Sequence, residues 1–313
     1  RLFRHDGSSL YHFARCPLCY TRFRKGLQGH VGSTPKRYSW FCDARAPLVH
    51  GGTESIPALA HFPPMLNRNR IYLQFTSRWI AGGTLKLPPL RHGSFVERHN
   101  RFLATVLLNG QEVKVHVPSP GRMRELLTPQ RDVWVTRVEK ATRKTAYDMV
   151  MVKHNGHLVS VDSRLPNALF REALENDLPL GAGYDIIEQE VPHDHSRLDF
   201  RLKGSRGTLW VEVKSVNLVE EGLALFPDAP TKRGQRHLED LADIATGGEK
   251  TAVAFVVQRS DATAFAPHAG TDPAFADTLY RVARSGVIVH AYTCHVTLEE
   301  IRIAVRIPFC QRA

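Results

Sequence analysis

Residues 197–214 read RLDFRLKGSRGTLWVEVK. Two runs that otherwise alternate like half-buried strands carry Asp199, Glu212 and Lys214, and a charge inside such a run costs free energy unless it is paired or bound to a metal. Side chains alternate across a strand. Trp210, Glu212 and Lys214 therefore share one face, and Leu209, Val211 and Val213 the other. In the preceding run Leu198, Phe200 and Leu202 share a face, with Asp199 and Arg201 opposite. Gly204 and Gly207 flank a turn, and a hairpin symmetric about Ser205–Arg206 sets Asp199 across from Glu212, with Cβ atoms about 5 Å apart. Two carboxylates at that distance repel, and a divalent cation between them relieves the cost. Oxygen ligands suit Mg2+ or Mn2+. Lys214 is placed to orient or activate a water, or to stabilise charge on a phosphate. Together these residues form a constellation for metal-assisted phosphodiester hydrolysis. The bland alternative is a solvated sheet face. In a chain about a quarter charged, a Glu-x-Lys triplet arises about once by composition alone, so the weight falls on Asp199 on the paired strand and on the apolar setting.

The elements around this hairpin read as an α/β region, α+β for the chain as a whole. RLPNALFREALEN predicts a helix with Pro166 in its first turn. YDIIEQEV, TAVAFVVQ and GVIVHAYT predict strands. TKRGQRHLEDLADIATGG predicts a helix ending at Gly247-Gly248, with Leu238, Leu241 and Ala245 near one face. DPAFADTLYRVARSG predicts another, capped by Asp272. Upstream, RFLATVLLNGQEVKVHV and YDMVMVKHNGHLVSVDS are hairpins turning at Asn109-Gly110 and Asn155-Gly156. DVWVTRVE is a strand between them, and a short helix is expected after Pro120-Gly121. Short strands with one small helix suggest a small barrel of the oligonucleotide-binding (OB) type. Such barrels bind single strands through basic and aromatic groups, or simply pack on a neighbour. The stretch NLVEEGLALFPDAPTKRG directly follows the hairpin. It is long and weakly periodic, and it is expected to form a flap over the site, with Lys232 and Arg233 on phosphate.

The chain has 313 residues, room for two domains, and a net charge of +11. That charge is uneven: residues 1–84 carry +9 and residues 85–313 only +2. The near-neutral remainder argues against tight nonspecific binding to nucleic acid through charge alone. The first 84 residues have no sustained period and are expected to be a disordered extension, or upstream sequence from an over-long gene model. They hold Cys16, Cys19 and Cys42, which lack the second ligand pair of a common zinc motif. Cys294 and Cys310 suggest no disulfide framework, in keeping with a reducing cytoplasm. No apolar run reaches the length of a membrane span, and no signal peptide is expected.

Taken together, RFLATVLLNG, SPGRMRELL, RLPNALFREAL, SRLDF, VEVKSVNLVEEGLALFPDAPTKRGQRHLEDL, AFVVQRSDATAF and DPAFADTL resemble the SfsA family, the sugar fermentation stimulation proteins, in the expected order from about residue 90 to 308. The resemblance implies DNA binding and an OB-like barrel (85–162), followed by a mixed-sheet domain like the PD-(D/E)xK nucleases (163–313). It implies Asp199 for the family's acidic residue, Glu212-Val213-Lys214 for its Glu-x-Lys, Gln235 for a helical glutamine and Glu172 for a helix carboxylate. Asp199 and Glu212 are then the metal ligands. SPGRM departs from the family's common NTGSM form. Arg122 and Arg124 in that stretch, with Lys232 and Arg233, are the candidate nucleic-acid contacts. Two functions are in play: a metal-dependent nuclease acting on DNA or RNA, single strands included, and a non-catalytic DNA-binding regulator of sugar-metabolism genes.

Overall fold

The computed structural model describes residues 40–42, 83–139, 143–194 and 196–312, with residues 40–42 and 312 described by backbone alone. In chain order the elements are β1 (Trp40–Cys42), β2 (Leu85–Lys86), β3 (Leu90–Asn100), β4 (Leu103–Leu108), β5 (Gln111–His116), β6 (Asp132–Arg137), β7 (Tyr147–His154) and β8 (His157–Ser160). Then follow α1 (Leu165–Glu175), β9 (Ile186–His193), β10 (Ser196–Gly204), β11 (Gly207–Val216), β12 (Val219–Glu220) and β13 (Leu223–Phe226). The chain closes with α2 (Lys232–Thr246), β14 (Lys250–Val257), β15 (Ala264–Pro267), α3 (Pro273–Arg284), β16 (Ile288–Val296), β17 (Glu300–Ile307) and β18 (Cys310–Arg312). Among the described residues no helix is long and apolar enough to cross a membrane.

Both Asn-Gly pairs do what their chemistry suggests. Asn109 and Gly110 have φ of +50° and +80°, and Asn155 and Gly156 have +49° and +83°. These are the left-handed values that a two-residue hairpin turn needs. The resulting strands run in the order β5-β4-β3-β6-β7-β8. A parallel pairing of Val115 with Tyr147 and His116 with Asp148 joins β5 to β7 and closes a five-stranded barrel. Its interior is filled by Val106, Val115, Val133, Val135, Met149 and Val152.

The helix expected after Pro120-Gly121 is absent. Met123 has φ +48°, and its carbonyl accepts only the turn bonds from Leu126 and Leu127. Tertiary contacts hold this loop open: the Met123 N–H donates to Asp228 Oδ2 at 3.1 Å, and Asn217 Nδ2 meets the Met123 sulfur at 3.3 Å. Gly121 is needed here, because a Cβ would fall 2.7 Å from Asp228 Oδ2. Arg98 clamps the other side. Its guanidinium donates to the carbonyls of Asn100, Arg101, Ser119 and Arg122 at 2.6–3.2 Å, fastening the β3–β4 turn to the 119–122 loop.

The second domain is a seven-stranded mixed sheet, β2-β17-β16-β14-β11-β10-β9, parallel from β11 through β14 to β16. Its first strand, Leu85–Lys86, pairs with Ile301 and Glu300, so the barrel proper begins at β3 rather than at residue 85. One face packs on α1 through Phe170, Phe200, Val211 and Ala254. The other packs on α2 and α3 through Leu238, Leu241, Phe255, Phe275 and Leu279. Leu198 joins this second cluster with Val191 and Trp210, not the one holding Phe200 and Leu202. An OB-like barrel followed by a mixed sheet with helices on both faces is thus the architecture of the chain.

The stretch expected as a flap is a hairpin, β12–β13, whose second strand lies parallel to β15. Ala224 and Leu225 are buried in it. Its apolar residues make it a fixed wall. The expectation for residues 1–84 falls almost wholly outside the described residues. The exceptions are residues 83–84 and Trp40–Cys42, whose backbone pairs with Cys310–Arg312.

One buried carboxylate organises both helices behind the sheet. Asp272 caps α3 by accepting the Phe275 N–H at 2.9 Å, accepts the Thr231 N–H at 2.8 Å next to the start of α2, and receives the Gln235 amide at 3.0 Å. Asp272→Ala should cost about 2 kcal/mol or more, beyond an ordinary cap, because it also strands the Thr231 and Gln235 donors. Urea unfolding with an unchanged slope would show this; a loss under about 0.5 kcal/mol would mean water replaces all three bonds.

Candidate active site

The turn between β10 and β11 sets the site. Gly204 pairs with Gly207, and the register continues through Phe200 and Val211, which is the hairpin symmetric about Ser205–Arg206. Beyond Phe200, Asp199 takes over from the backbone ladder: its Oδ2 accepts the Val213 N–H at 2.7 Å. Its Oδ1 accepts Asn167 Nδ2, in the first turn of α1, at 2.7 Å. Burial and, next, the nearby negative charge of Glu212 push the Asp199 carboxyl up to about 6.

Glu212 is only 3% exposed. Its Oε1 accepts from the Lys214 ammonium and from His237 Nδ1. Burial alone would raise its pKa, but Lys214 and then His237 outweigh that and hold it down at about 2. The imidazole is fixed from behind, since Arg233 Nε donates to His237 Nε2 at 3.3 Å. That bond makes Nε2 the acceptor, so Nδ1 carries the proton given to Glu212. The other Glu212 oxygen, Oε2, is buried with no hydrogen-bond partner.

These groups open on a cleft of about 390 Å³ between the domains. Its walls come from the barrel loop at Ser119–Gly121, the start of α1 at Arg164 and Asn167, strand β11, the β13 end with Asp228, and the first turn of α2 at Arg233 and Gly234. Arg164 stays charged, bonded first to Asp162 and also to Asp148.

The structure therefore brings Asp199, Glu212, Lys214 and Arg233 together. Gln235 lies outside the cleft lining, its amide committed to Asp272. Glu172 lies further along α1 against Gly83, also outside the lining. Arg122 and Arg124 are exposed beside the cleft rather than in it, and so is Lys232 at the start of α2. The sequence reading missed His237 and Asn167. His237 had a signal: it sits on the apolar stripe of α2 with Gly234, Leu238 and Leu241, and a polar residue on such a stripe must find a buried partner.

A cation fits this donor set. Glu212 keeps an orphaned buried oxygen and lies near enough to Asp199 to oppose its ionisation, second to burial, and each ionised Asp199 oxygen keeps a lone pair after its one bond. Among the described residues no three His, Cys, Asp or Glu side chains gather for a metal. Water would complete the shell, as Mg2+ commonly requires.

Comparisons with known proteins bear on this arrangement. Residues 164–300 match the family model described as the sugar fermentation stimulation protein RE domain, and residues 96–161 the SfsA N-terminal OB domain. A sugar fermentation stimulation protein homolog of Desulforamulus reducens is 44% identical over 223 residues, covering 71% of this chain and 93% of that protein. One from Moorella thermoacetica is 44% identical over 206 residues, covering 65% and 89%. Among solved structures, that of Pyrococcus furiosus SfsA in complex with Ca2+ superposes with a TM-score of 0.67 at 30% identity, covering 72% of this chain and 97% of that one.

Proposed function

The chain belongs to the sugar fermentation stimulation protein family, SfsA, and from that footing we propose that it binds nucleic acid and hydrolyses its phosphodiester bonds with a divalent metal, Mg2+ or Mn2+. The observation that carries this reading is the unpartnered, buried Oε2 of Glu212 near the buried carboxyl of Asp199. The Ca2+ in the Pyrococcus furiosus relative supports a divalent ion at such a fold.

Asp199 and Glu212 would hold the ion. When bound, it would supply stabilisation of charge on the phosphoryl oxygens and lower the pKa of a water. The chain's own residues do the rest. Lys214 spends one proton on Glu212 Oε1, and its remaining two can orient the attacking water or meet a phosphoryl oxygen. His237, held by Arg233, keeps Glu212 ionised and its carboxylate plane fixed. Arg164 and Arg233, both at the cleft, are placed to neutralise flanking phosphates.

The full chain incubated with single- and double-stranded DNA and RNA should cleave at least one of them with Mg2+ or Mn2+, and none in EDTA. Nucleic-acid binding without cleavage under either metal would favour the non-catalytic regulator of sugar-metabolism genes instead.

A further inference from the structure

A second concave surface lies on the barrel. It measures about 760 Å³, and Phe102, Lys114, His116, Arg143, Lys144 and Arg164 line it without a carboxylate among its walls. We propose that this surface docks unpaired nucleic-acid bases and leads the strand into the carboxylate cleft through Arg164. The proposal rests on reading the cleft as a nucleic-acid site.

Phe102 is half exposed, at 50%. One exposed phenylalanine needs no explanation. This one is held in place. Its N–H donates to Asn100 Oδ1 at 2.9 Å, and its carbonyl accepts from the Val117 N–H and from His116 Nδ1, both at 3.0 Å. The His116 ring lies beside it, 6.2 Å away and only 22° from parallel. An ordered, flat, open aromatic pair is a platform for a base. In a duplex the base faces are already stacked, so only an unpaired strand has a face to offer.

The cations are ordered too. Arg143 and Arg164 both bond Asp148, which is 1% exposed beneath them. Lys114 on β5 and Lys144 in the β6–β7 loop stand free in solvent at the rim. That mixture of stacking surface and flexible cations suits a strand whose phosphates alternate with bases. Arg164 lines both this surface and the cleft. Arg98 ties the turn that precedes Phe102 to the 119–122 loop at the cleft, so the two surfaces keep a fixed separation.

The test uses the full chain in EDTA, where nothing is cut, and fluorescence anisotropy of an oligothymidylate of about 12 nucleotides against a duplex of equal length. Phe102→Ala should weaken single-strand binding by about 5- to 100-fold and change duplex binding little. Lys144→Glu should also weaken it and flatten its salt dependence. Mn2+ titration of both variants should match the parent, since neither residue touches the cleft. A Phe102→Ala variant that binds oligothymidylate like the parent overturns the docking face and leaves the nuclease reading standing. Displacement of the oligonucleotide by an acidic peptide at equal concentration would assign the surface to a protein partner and overturn it as well. A parent chain that binds neither oligonucleotide removes both readings.

Discussion

Asp199→Asn should bind Mn2+ without measurable heat in a calorimetric titration that saturates the parent chain, and should cleave nothing. The carboxylate supplies half of the charge that would attract the ion, and its pKa is pushed up first by burial and then by the charge of Glu212. The same shift gives a signature that needs no substrate. A carboxyl at about 6 in the fold, against its ordinary 3.8, favours folding when protonated. Its contribution is fully present below about pH 4 and lost as the pH rises through about 6, on the order of 3 kcal/mol at most. In EDTA the parent should therefore lose stability across that interval, and Asp199→Asn should lose much less. Glu212 works in the other direction, since its pKa is held at about 2. Its contribution is present above the ordinary 4.5 and is lost as the pH falls toward about 2, so the two windows overlap only at about pH 4. Adding Mn2+ should raise the melting temperature of the parent at about pH 7.5 and barely at about pH 5, where the proton competes for Asp199. Equal Mn2+ heats in the two proteins would sink the site.

Lys214→Ala should lower the single-turnover cleavage rate by roughly a hundredfold or more while changing nucleic-acid affinity only modestly. A group that meets charge developing in the transition state costs about that much when removed. Affinity has other sources, because Arg164 and Arg233 remain at the cleft. The variant should stay folded, since Glu212 keeps its His237 bond, although one cation fewer should let the Glu212 pKa rise. Rate at saturation and affinity have to come from one preparation. A variant that binds far more weakly yet cleaves normally at saturation would make Lys214 a binding residue.

The hairpin that presents these residues was legible because its information is local. Gly204 and Gly207 fix the turn, the turn fixes the register, and the register fixes which side chains meet. The Asn-Gly turns of the barrel were legible for the same reason. What escaped the sequence is set by residues far apart in the chain. The segment after Pro120-Gly121 carries helix formers, yet Asp228 and Asn217 reach across to hold its backbone open. Gln235 had the right helix and the wrong neighbour: Asp272 claims its amide, and His237, two positions on, turns to Glu212 instead. Asn167 on α1 donates to Asp199, which an ionised carboxylate in its place could not do, and no spacing rule marks an asparagine for that role. The stretch 217–234 does line the cleft, but its weak periodicity hid two short strands that complete a sheet with β15, which lies some forty residues downstream.

The seam between the domains has one more consequence. Pro118 O accepts both the N–H and the Oγ of Ser163, Gln258 bonds the carbonyl of Asp162, the Ser160 N–H returns to Gln258 O, and Asp228 fastens the barrel loop. These bonds lie on both sides of the link and brace the barrel against the sheet domain beside the cleft. If the cleft takes nucleic acid, as proposed, a cleft braced in this way would leave the bending to the substrate. Stiff, continuously stacked double helix pays elastic energy to enter such a notch, whereas gaps, frayed ends and flexible steps enter almost freely. Selectivity would then arise from the mechanics of the nucleic acid, read by a rigid gauge.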